Sequence, residues 1–269
     1  MFRSPQRLAG GLIGLTLLAG PLAATAAPVS VTVTIENLAP TNSVSFAPLR
    51  LAFNNGSFDS FNNGQVATAP IISVAEGGSG AAWFPAFAAA DPTAVLGSIN
   101  GALLPGMTAS NSFIVDSAIN RFFTFGTMVI PSNDLFLGND SPSRFELFDA
   151  AGNLRINSIN QTGGSIWDAG SEAVDPANAA FVVGGVNGNR TAQNGVVSFN
   201  FSELSAFNGL TTAAGYVFDS TSLRAETNIY RISFSSRSVP EPMSLGLLAA
   251  GLVPLGLARR KRAAKNRTA

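Results

Sequence analysis

Three acidic residues, Asp134, Asp168 and Glu172, have the chemistry and the spacing to hold a metal ion. Asp134 follows a hydrophobic run in TMVIPSNDLFLGND, and Asp168 and Glu172 flank Gly170 in WDAGSE, farther along the chain. Glycine permits a tight bend there, which could turn both carboxylates toward one point. Calcium takes about six to eight oxygen ligands from carboxylates, backbone carbonyls and water. The pattern therefore indicates part of a calcium shell, although acidic residues in loops are more often simply solvated.

The chain contains no histidine and no cysteine. It therefore has no disulfide, no nitrogen- or sulfur-ligated zinc, copper or iron site, no Ser-His-Asp triad and no cysteine nucleophile. A metal would have to be bound by oxygen, which calcium and magnesium prefer. The residues alone therefore leave calcium and magnesium open as the bound cation.

An enzymatic alternative uses the same carboxylates. Asp134 and Glu172 could form an acid/base pair that acts on polysaccharide, or could serve a carbohydrate-binding module without catalysis. The sequence has only two Trp and two Tyr, so aromatic side chains for a sugar platform are few. We therefore expect a protein that is not an enzyme.

Short β-strands are the elements expected to position these acids. In VSVTVTIE, at 29–36, hydrophobic and polar residues alternate strictly, as in a half-buried strand. Six Asn-Gly dipeptides mark tight turns. Further strands are predicted at 46–53, 112–116, 121–130, 195–201 and 229–235, with a hairpin at 144–157 and a short helix at 81–91. The pattern predicts one all-β domain over 27–237, an antiparallel β-sandwich.

The N-terminal residues 1–26 have the features of a secretory signal peptide. Arg3 and Arg7 precede an apolar stretch that ends in a small-x-small cleavage pattern, and we expect cleavage after Ala26. An uncleaved membrane anchor is the alternative, but the apolar run is short and interrupted by glycine.

The C-terminal segment 238–262 combines three parts in order. A Pro-Glu-Pro tripeptide comes first, then an uncharged stretch at 244–258 and then a basic cluster; a basic tail at 263–269 follows. The stretch is a little short for a membrane-spanning helix, and the basic residues would remain cytoplasmic. The residues that define this segment are Pro240, Glu241, Pro242, Arg259, Arg260, Lys261 and Arg262.

The charge of the region between the two ends limits its partners. Residues 27–239 contain eight arginines and fifteen acids, which gives a formal net charge of −7. Such an acidic balance argues against nucleic acid as a partner.

The C-terminal set of Pro-Glu-Pro, apolar helix and basic cluster resembles the PEP-CTERM sorting signal of Gram-negative bacteria. The resemblance implies recognition by an exosortase-type transpeptidase, transient residence in the inner membrane, and delivery to the cell surface or beyond. It also implies an association with extracellular polysaccharide or surface proteins. The two prolines keep their segment extended and accessible to a processing enzyme. A permanent single-span anchor is the alternative.

The stretch TMVIPSNDLFLG followed by WDAGSE is similar to the spondin N-terminal domain. FAPLRLAF, NNGQVAT, ISVAEGG and LLPGMTASNSFIV agree with that family in order, so the likeness covers about 29–235 and is sharp at 127–138 and 167–172. It implies a C2-like β-sandwich that binds calcium through Asp134, Asp168 and Glu172.

The same resemblance implies a function in adhesion or in the organisation of exopolysaccharide and biofilm. The chain departs from the pattern of that family at two places. Leu135 replaces the tryptophan that usually follows the motif aspartate, and AFNNG stands where many members have a histidine. Neither departure removes a carboxylate.

Overall fold

The computed structural model describes residues 28–239. The signal peptide predicted at 1–26, the Pro-Glu-Pro sequence, the apolar segment at 244–258 and the basic cluster lie outside the described residues. Within 28–239, no helix combines the length and the hydropathy needed to cross a membrane.

The described chain is mostly β and forms two antiparallel sheets. Its strands and α-helices are, in chain order, β1 Val29–Asn37, β2 Ser45–Phe46, β3 Leu49–Asn54, α1 Ala69–Gly77, α2 Trp83–Ala90, β4 Val95–Ile99, β5 Thr108–Val115, β6 Phe122–Ile130, β7 Leu135–Gly138, β8 Ser158–Thr162, β9 Trp167–Asp168, β10 Ser198–Phe199 and β11 Asn228–Ser238. Two 3₁₀ helices, Gly163–Ser165 and Phe201–Phe207, follow β8 and β10.

The first sheet has the strand order β5-β1-β11-β8, and the second has the order β10-β9-β7-β6-β3-β4, with β2 added beside β6. Strands β1 and β11 pair along nine residues, from Val29 opposite Ser238 to Asn37 opposite Tyr230. Strands β8 and β10 are therefore edge strands, one in each sheet, with one side free of strand pairing.

One hydrophobic core receives side chains from both sheets, which is the arrangement expected of a β-sandwich. The first sheet supplies Val31, Val33 and Ile232, and the second supplies Leu51 and Phe125, all of them almost completely buried. The inward positions alternate with polar ones along β1, so the sequence alternation at 29–36 correctly identified the buried face.

The two α-helices cover the outer face of the second sheet. Helix α1 begins after Thr68, whose hydroxyl accepts a hydrogen bond from the Ile71 amide at 3.4 Å, and ends at Gly78 with φ 57°. Apolar side chains of both helices pack with Phe136 and Trp167 in a second hydrophobic core. This covering explains why β7 is buried on both faces.

Most predicted elements are present with shifted ends. Helix α2 confirms the predicted helix at 81–91, and β11 extends the predicted last strand. The predicted hairpin at 144–157 is reduced to one isolated bridge between Phe148 and Leu154. Two backbone hydrogen bonds flank this bridge, from the Asp149 amide to the Asn153 carbonyl at 2.9 Å and from the Arg155 amide to the Leu147 carbonyl at 2.8 Å. The Asp149 carboxylate also accepts from the Ala151 and Asn153 amides and so stabilises the turn of this short hairpin.

Candidate metal centre

Three short neighbouring strands, β7, β9 and β10, bring the predicted site together. Asp134 immediately precedes β7, and Asp168 in β9 lies opposite Leu135 on one side and Ser198 on the other. The pairing continues beyond the strands, because the Ala169 amide donates to the Asp134 carbonyl at 3.2 Å. Asp134 and Asp168 are therefore adjacent in space, as the sequence predicted.

The turn before Asp134 is held by its own side chains. The Ser132 hydroxyl donates to the Val129 carbonyl at 2.5 Å and accepts from the Leu135 amide at 3.2 Å. The Asn133 side chain accepts from the Asp175 amide at 2.9 Å, which ties the turn to the loop after Glu172. These bonds account for the Pro-Ser-Asn-Asp sequence in local terms and fix the direction of the Asp134 side chain.

Asp134 is fully buried, and its two carboxylate oxygens have different surroundings. Oδ2 accepts from the Ser171 amide at 2.8 Å, the Ser171 hydroxyl at 3.1 Å and the Glu172 amide at 2.9 Å. Oδ1 is buried and has no hydrogen-bond partner among the described residues. Burial, with a smaller contribution from the charge of Asp168, raises the pKa of Asp134 to about 6.

Asp168 lies beside a carboxylate that the sequence interpretation missed, that of Glu203. Asp168 Oδ1 accepts from the Gly170 amide at 2.6 Å, and its Oδ2 accepts from Asn200 Nδ2 at 2.9 Å. The same Asn200 nitrogen donates to Glu203 Oε2 at 2.9 Å, and Glu203 Oε1 is buried with no hydrogen-bond partner in the described part of the chain. Burial, then the charges of Asp168 and Asp134, and last a hydrogen bond with the Asp168 carboxyl group raise the pKa of Glu203 to about 8.

Glu172 has separate partners of its own, although its amide contacts Asp134. Its Oε1 accepts from Asn133 Nδ2 at 3.1 Å, and its Oε2 lies 3.6 Å from the Arg190 guanidinium, which also pairs with Glu76. Burial, and to a lesser extent the charge of Glu76, raises the pKa of Glu172 to about 7. Asp134 and Glu172 are 0% and 1% exposed, so this pair does not line an open cleft.

Gly170 makes the bend that the sequence predicted. Its φ is +64°, and a Cβ at this position would lie 2.7 Å from the Val196 amide nitrogen and carbonyl oxygen. The bend lets the Ser171 and Glu172 amides reach Asp134. The contact of Glu172 with Asp134 is made by its backbone amide, whereas the Asp168 and Glu172 carboxylates bond to different side chains, Asn200 for the first and Asn133 for the second.

Asp134, Asp168 and Glu203 have no cationic partner among the residues that the structure describes. In residues 28–239, none of the three forms an ion pair with an arginine, whereas Glu172 does. No group of three or more acidic side chains in this range forms a ready-made metal cage. A bound cation would thus have to draw the free oxygens of Asp134 and Glu203 closer and to take further ligands from backbone or water.

The sequence contains one weak indication that Glu203 belongs to this site. It is the one acidic residue in the apolar segment FSELSAF, directly after the strand predicted at 195–201. The 3₁₀ helix Phe201–Phe207 buries Leu204 and Phe207 in the main core, and this packing directs Glu203 toward Asp168. An isolated acid in an apolar segment was the signal that could have identified it.

Comparison of the chain with models of known protein families gave no match. Comparison with curated protein sequences also gave none.

Proposed function

We propose that this chain is an exported calcium-binding protein whose domain is a C2-like β-sandwich of the spondin type. In this proposal it is sorted to the cell surface or the extracellular matrix by its PEP-CTERM-like tail. There it acts in adhesion or in the organisation of exopolysaccharide and biofilm. It is a binding protein and not an enzyme, and the exosortase-type transpeptidase is its processing partner.

The observation that carries the calcium proposal is the pair of buried, unpartnered oxygens, Asp134 Oδ1 and Glu203 Oε1. A buried polar atom without a partner normally costs about 1–3 kcal/mol, and more when it is charged. When no cation is bound, repulsion among the three neighbouring ionised carboxyl groups adds to this cost. A divalent cation would remove both penalties, and oxygen ligands of this kind suit calcium.

The proposed ligands are Asp134, Asp168 and Glu203, with Glu172 beside them. They stand at the start of β7, in β9, in the 3₁₀ helix after β10 and in the loop after β9. A calcium ion held by Asp134, Asp168 and Glu203 would connect three chain segments at one end of the second sheet. Its contribution is therefore structural: the ion would fix the loops at this end in one arrangement.

The adhesive part of the proposal is supported by the acidic exported region and by the resemblance at 127–138 and 167–172. A domain without disulfides gains substantially from a bound ion, since calcium at a hundred times its dissociation constant would add about 2.7 kcal/mol to the free energy of unfolding. The ion would thereby make the stability of the surface domain dependent on extracellular calcium.

A melting experiment with two matched glutamate variants tests the calcium proposal. We expect calcium to raise the Tm of the wild-type chain relative to EDTA, and magnesium to raise it less. Glu203→Gln retains the acceptor for Asn200 and replaces the free oxygen by a donor, so it should fold without metal and lose the response to calcium. Glu226→Gln, at an exposed glutamate, is the control and should respond as the wild type does. An equal calcium response in both variants would refute the assignment of Glu203.

A further inference from the structure

A cleft, separate from the candidate metal centre, lies between edge strands of the two sheets. An open cleft of about 500 Å³ is bordered by β8 of the first sheet and by β9 and β10 of the second. This volume falls within the range of roughly 300–1,000 Å³ that is usual for small-molecule sites. None of the four buried carboxylates of the metal centre lines this cleft.

Phe199 in β10 forms an exposed aromatic wall of the cleft. Its ring stacks on Trp167 with centroids 3.7 Å apart and an interplanar angle of 22°. The Trp167 indole donates to the Gly138 carbonyl at 3.2 Å and is 5% exposed, whereas Phe199 is 55% exposed. A fixed, buried tryptophan thus supports one face of the phenylalanine ring and leaves the rest of the ring open to the cleft.

The exposure of Phe199 is unusual within this molecule. Among residues 28–239 none of the other exposed large hydrophobic residues is aromatic, and most of the buried or partly buried aromatic rings belong to the two cores. An aromatic ring that is both rigid and exposed is a typical anchor for a ligand with an apolar face.

The polar lining of the cleft has hydrogen-bonding capacity that the fold does not use. In the described chain the side chains of Asn63, Asp140 and Arg144 form no hydrogen bond or ion pair with other side chains or with the backbone. Gln161 is 9% exposed and uses only its NH₂ group, in a 3.2 Å bond to the Asn160 carbonyl. Amide, carboxylate and guanidinium groups together offer both donors and acceptors to a ligand.

The charge of the cleft lining limits the classes of ligand that could stack on Phe199 there. The cleft lining contains one carboxylate, Asp140, and one cation, Arg144, so its formal charge is zero. A nucleotide or another polyanion would need an excess of cations, and an acyl chain would need an apolar lining. A pyranose ring has C–H groups on one face, which pack on an aromatic ring, and hydroxyl groups at its edge, which pair with amides, carboxylates and guanidinium groups.

From this cleft we infer a binding site for a neutral oligosaccharide, with Phe199 as the stacking platform and Asp140, Arg144 and Asn63 as hydroxyl ligands. The inference deepens the proposed adhesive function by naming its ligand class, and it rests on that function. It does not require the carboxylates of the metal centre, because they contribute nothing to the cleft. It is a binding site, and no catalytic step is assigned to it.

Titration of the purified chain with neutral oligosaccharides, followed by calorimetry and by tryptophan fluorescence, tests this inference. The panel contains α- and β-linked oligomers of glucose, galactose, mannose and N-acetylhexosamine, with heparin and polygalacturonate as anionic probes. We expect at least one neutral oligomer to bind, and Phe199→Ala to weaken its binding by about tenfold or more. Arg144→Gln should weaken it as well, whereas Phe199→Tyr should retain it.

Val183→Ala is the matched control, because it removes an exposed hydrophobic side chain that does not line the cleft. The inference is overturned if no neutral member of the panel binds at millimolar concentration, if only the anionic probes bind, or if Phe199→Ala binds as well as Val183→Ala does. Calcium binding is measured on the same samples. Loss of sugar binding with intact calcium binding refutes the cleft alone, and sugar binding without any calcium response refutes the metal proposal alone.

Discussion

Asp134→Ala is expected to destabilise the metal-free protein by about 3 kcal/mol, because the substitution leaves the donors that face Oδ2 without their acceptor. The Glu172 amide is buried and the Ser171 amide is partly buried, so water replaces the lost carboxylate poorly. Relief of repulsion between Asp134 and the Asp168 and Glu203 carboxyl groups offsets only part of this loss.

Asp134→Asn separates the structural role of this side chain from its role as a ligand. The amide oxygen of the asparagine can accept from Ser171 and Glu172, and the substitution removes one negative charge from the cluster. We expect the free energy of unfolding in EDTA to stay within about 1 kcal/mol of the wild-type value. The response to calcium should be lost in both variants.

Urea unfolding in EDTA and in calcium measures both effects for the wild type and the two Asp134 variants. Glu226→Gln serves again as the control, since its side chain is exposed and distant in sequence from the centre. If Asp134→Asn retains the full stabilisation by calcium, Asp134 is not a ligand. If Asp134→Ala is as stable as the wild type, the three hydrogen bonds to Oδ2 do not contribute as described.

The second large expected effect is a loss of stability of the metal-free protein as the pH rises. Burial raises the pKa of Asp134 to about 6 and that of Glu203 to about 8, so the folded state binds these protons more tightly than the unfolded chain does. Their contribution to stability is fully present at acidic pH, below the ordinary carboxyl range, and is lost as the pH rises through 6 and then 8. The metal-free protein should therefore become less stable between about pH 5 and pH 8.

Each unit by which a folded-state pKa exceeds its ordinary value corresponds to about 1.4 kcal/mol. Above pH 5, Asp134 contributes about one such unit and Glu203 about three, so we expect a total loss on the order of 5 kcal/mol across this window. The stabilisation by calcium should have the opposite pH dependence, because calcium binds the ionised carboxylates. The affinity for calcium should therefore increase over the same range of pH. Thermal unfolding from pH 5 to pH 8, in EDTA and in calcium, measures both slopes.

Glu203→Gln provides the internal control for the pH experiment. Its amide does not titrate, so the metal-free variant should lose less stability than the wild type between pH 6 and pH 8. A metal-free wild type whose stability rises with pH throughout this window would contradict the burial of uncompensated carboxyl groups at this site.

Alternation in the sequence was sufficient to predict β1 and β11, because each strand has one buried and one solvated face. Strand β7 has no such alternation, since the main core covers one face and the helices cover the other. Strand β9 has two residues, which is too short for any periodic signal, and only the two residues of β10 form a strand within the predicted 195–201. Helix α1 contains Ile71, Ile72 and Val74, β-branched residues that do not indicate a helix.

The candidate metal centre was predicted in part. Asp134 and Asp168 could be identified because each stands in a distinctive sequence, and the structure places Asp134 immediately before β7 and Asp168 in the neighbouring strand β9. Glu203 joins them only through the pairing of β9 with β10 and the burial of Leu204, and both depend on residues far away in sequence. The partners of Glu172, Asn133 and Arg190, are likewise set by long-range contacts.

The most direct test is a crystal structure of the protein grown with calcium, with anomalous scattering data collected after replacement of calcium by a lanthanide. The account predicts one strong anomalous peak among Asp134, Asp168 and Glu203, with carboxylate oxygens of Asp134 and Glu203 about 2.3–2.6 Å from the calcium ion. Glu203→Gln crystals should lack this peak. An empty site at millimolar calcium, with Asn200 still bridging Asp168 and Glu203 and with Asp134 Oδ1 still unpartnered, would contradict the account.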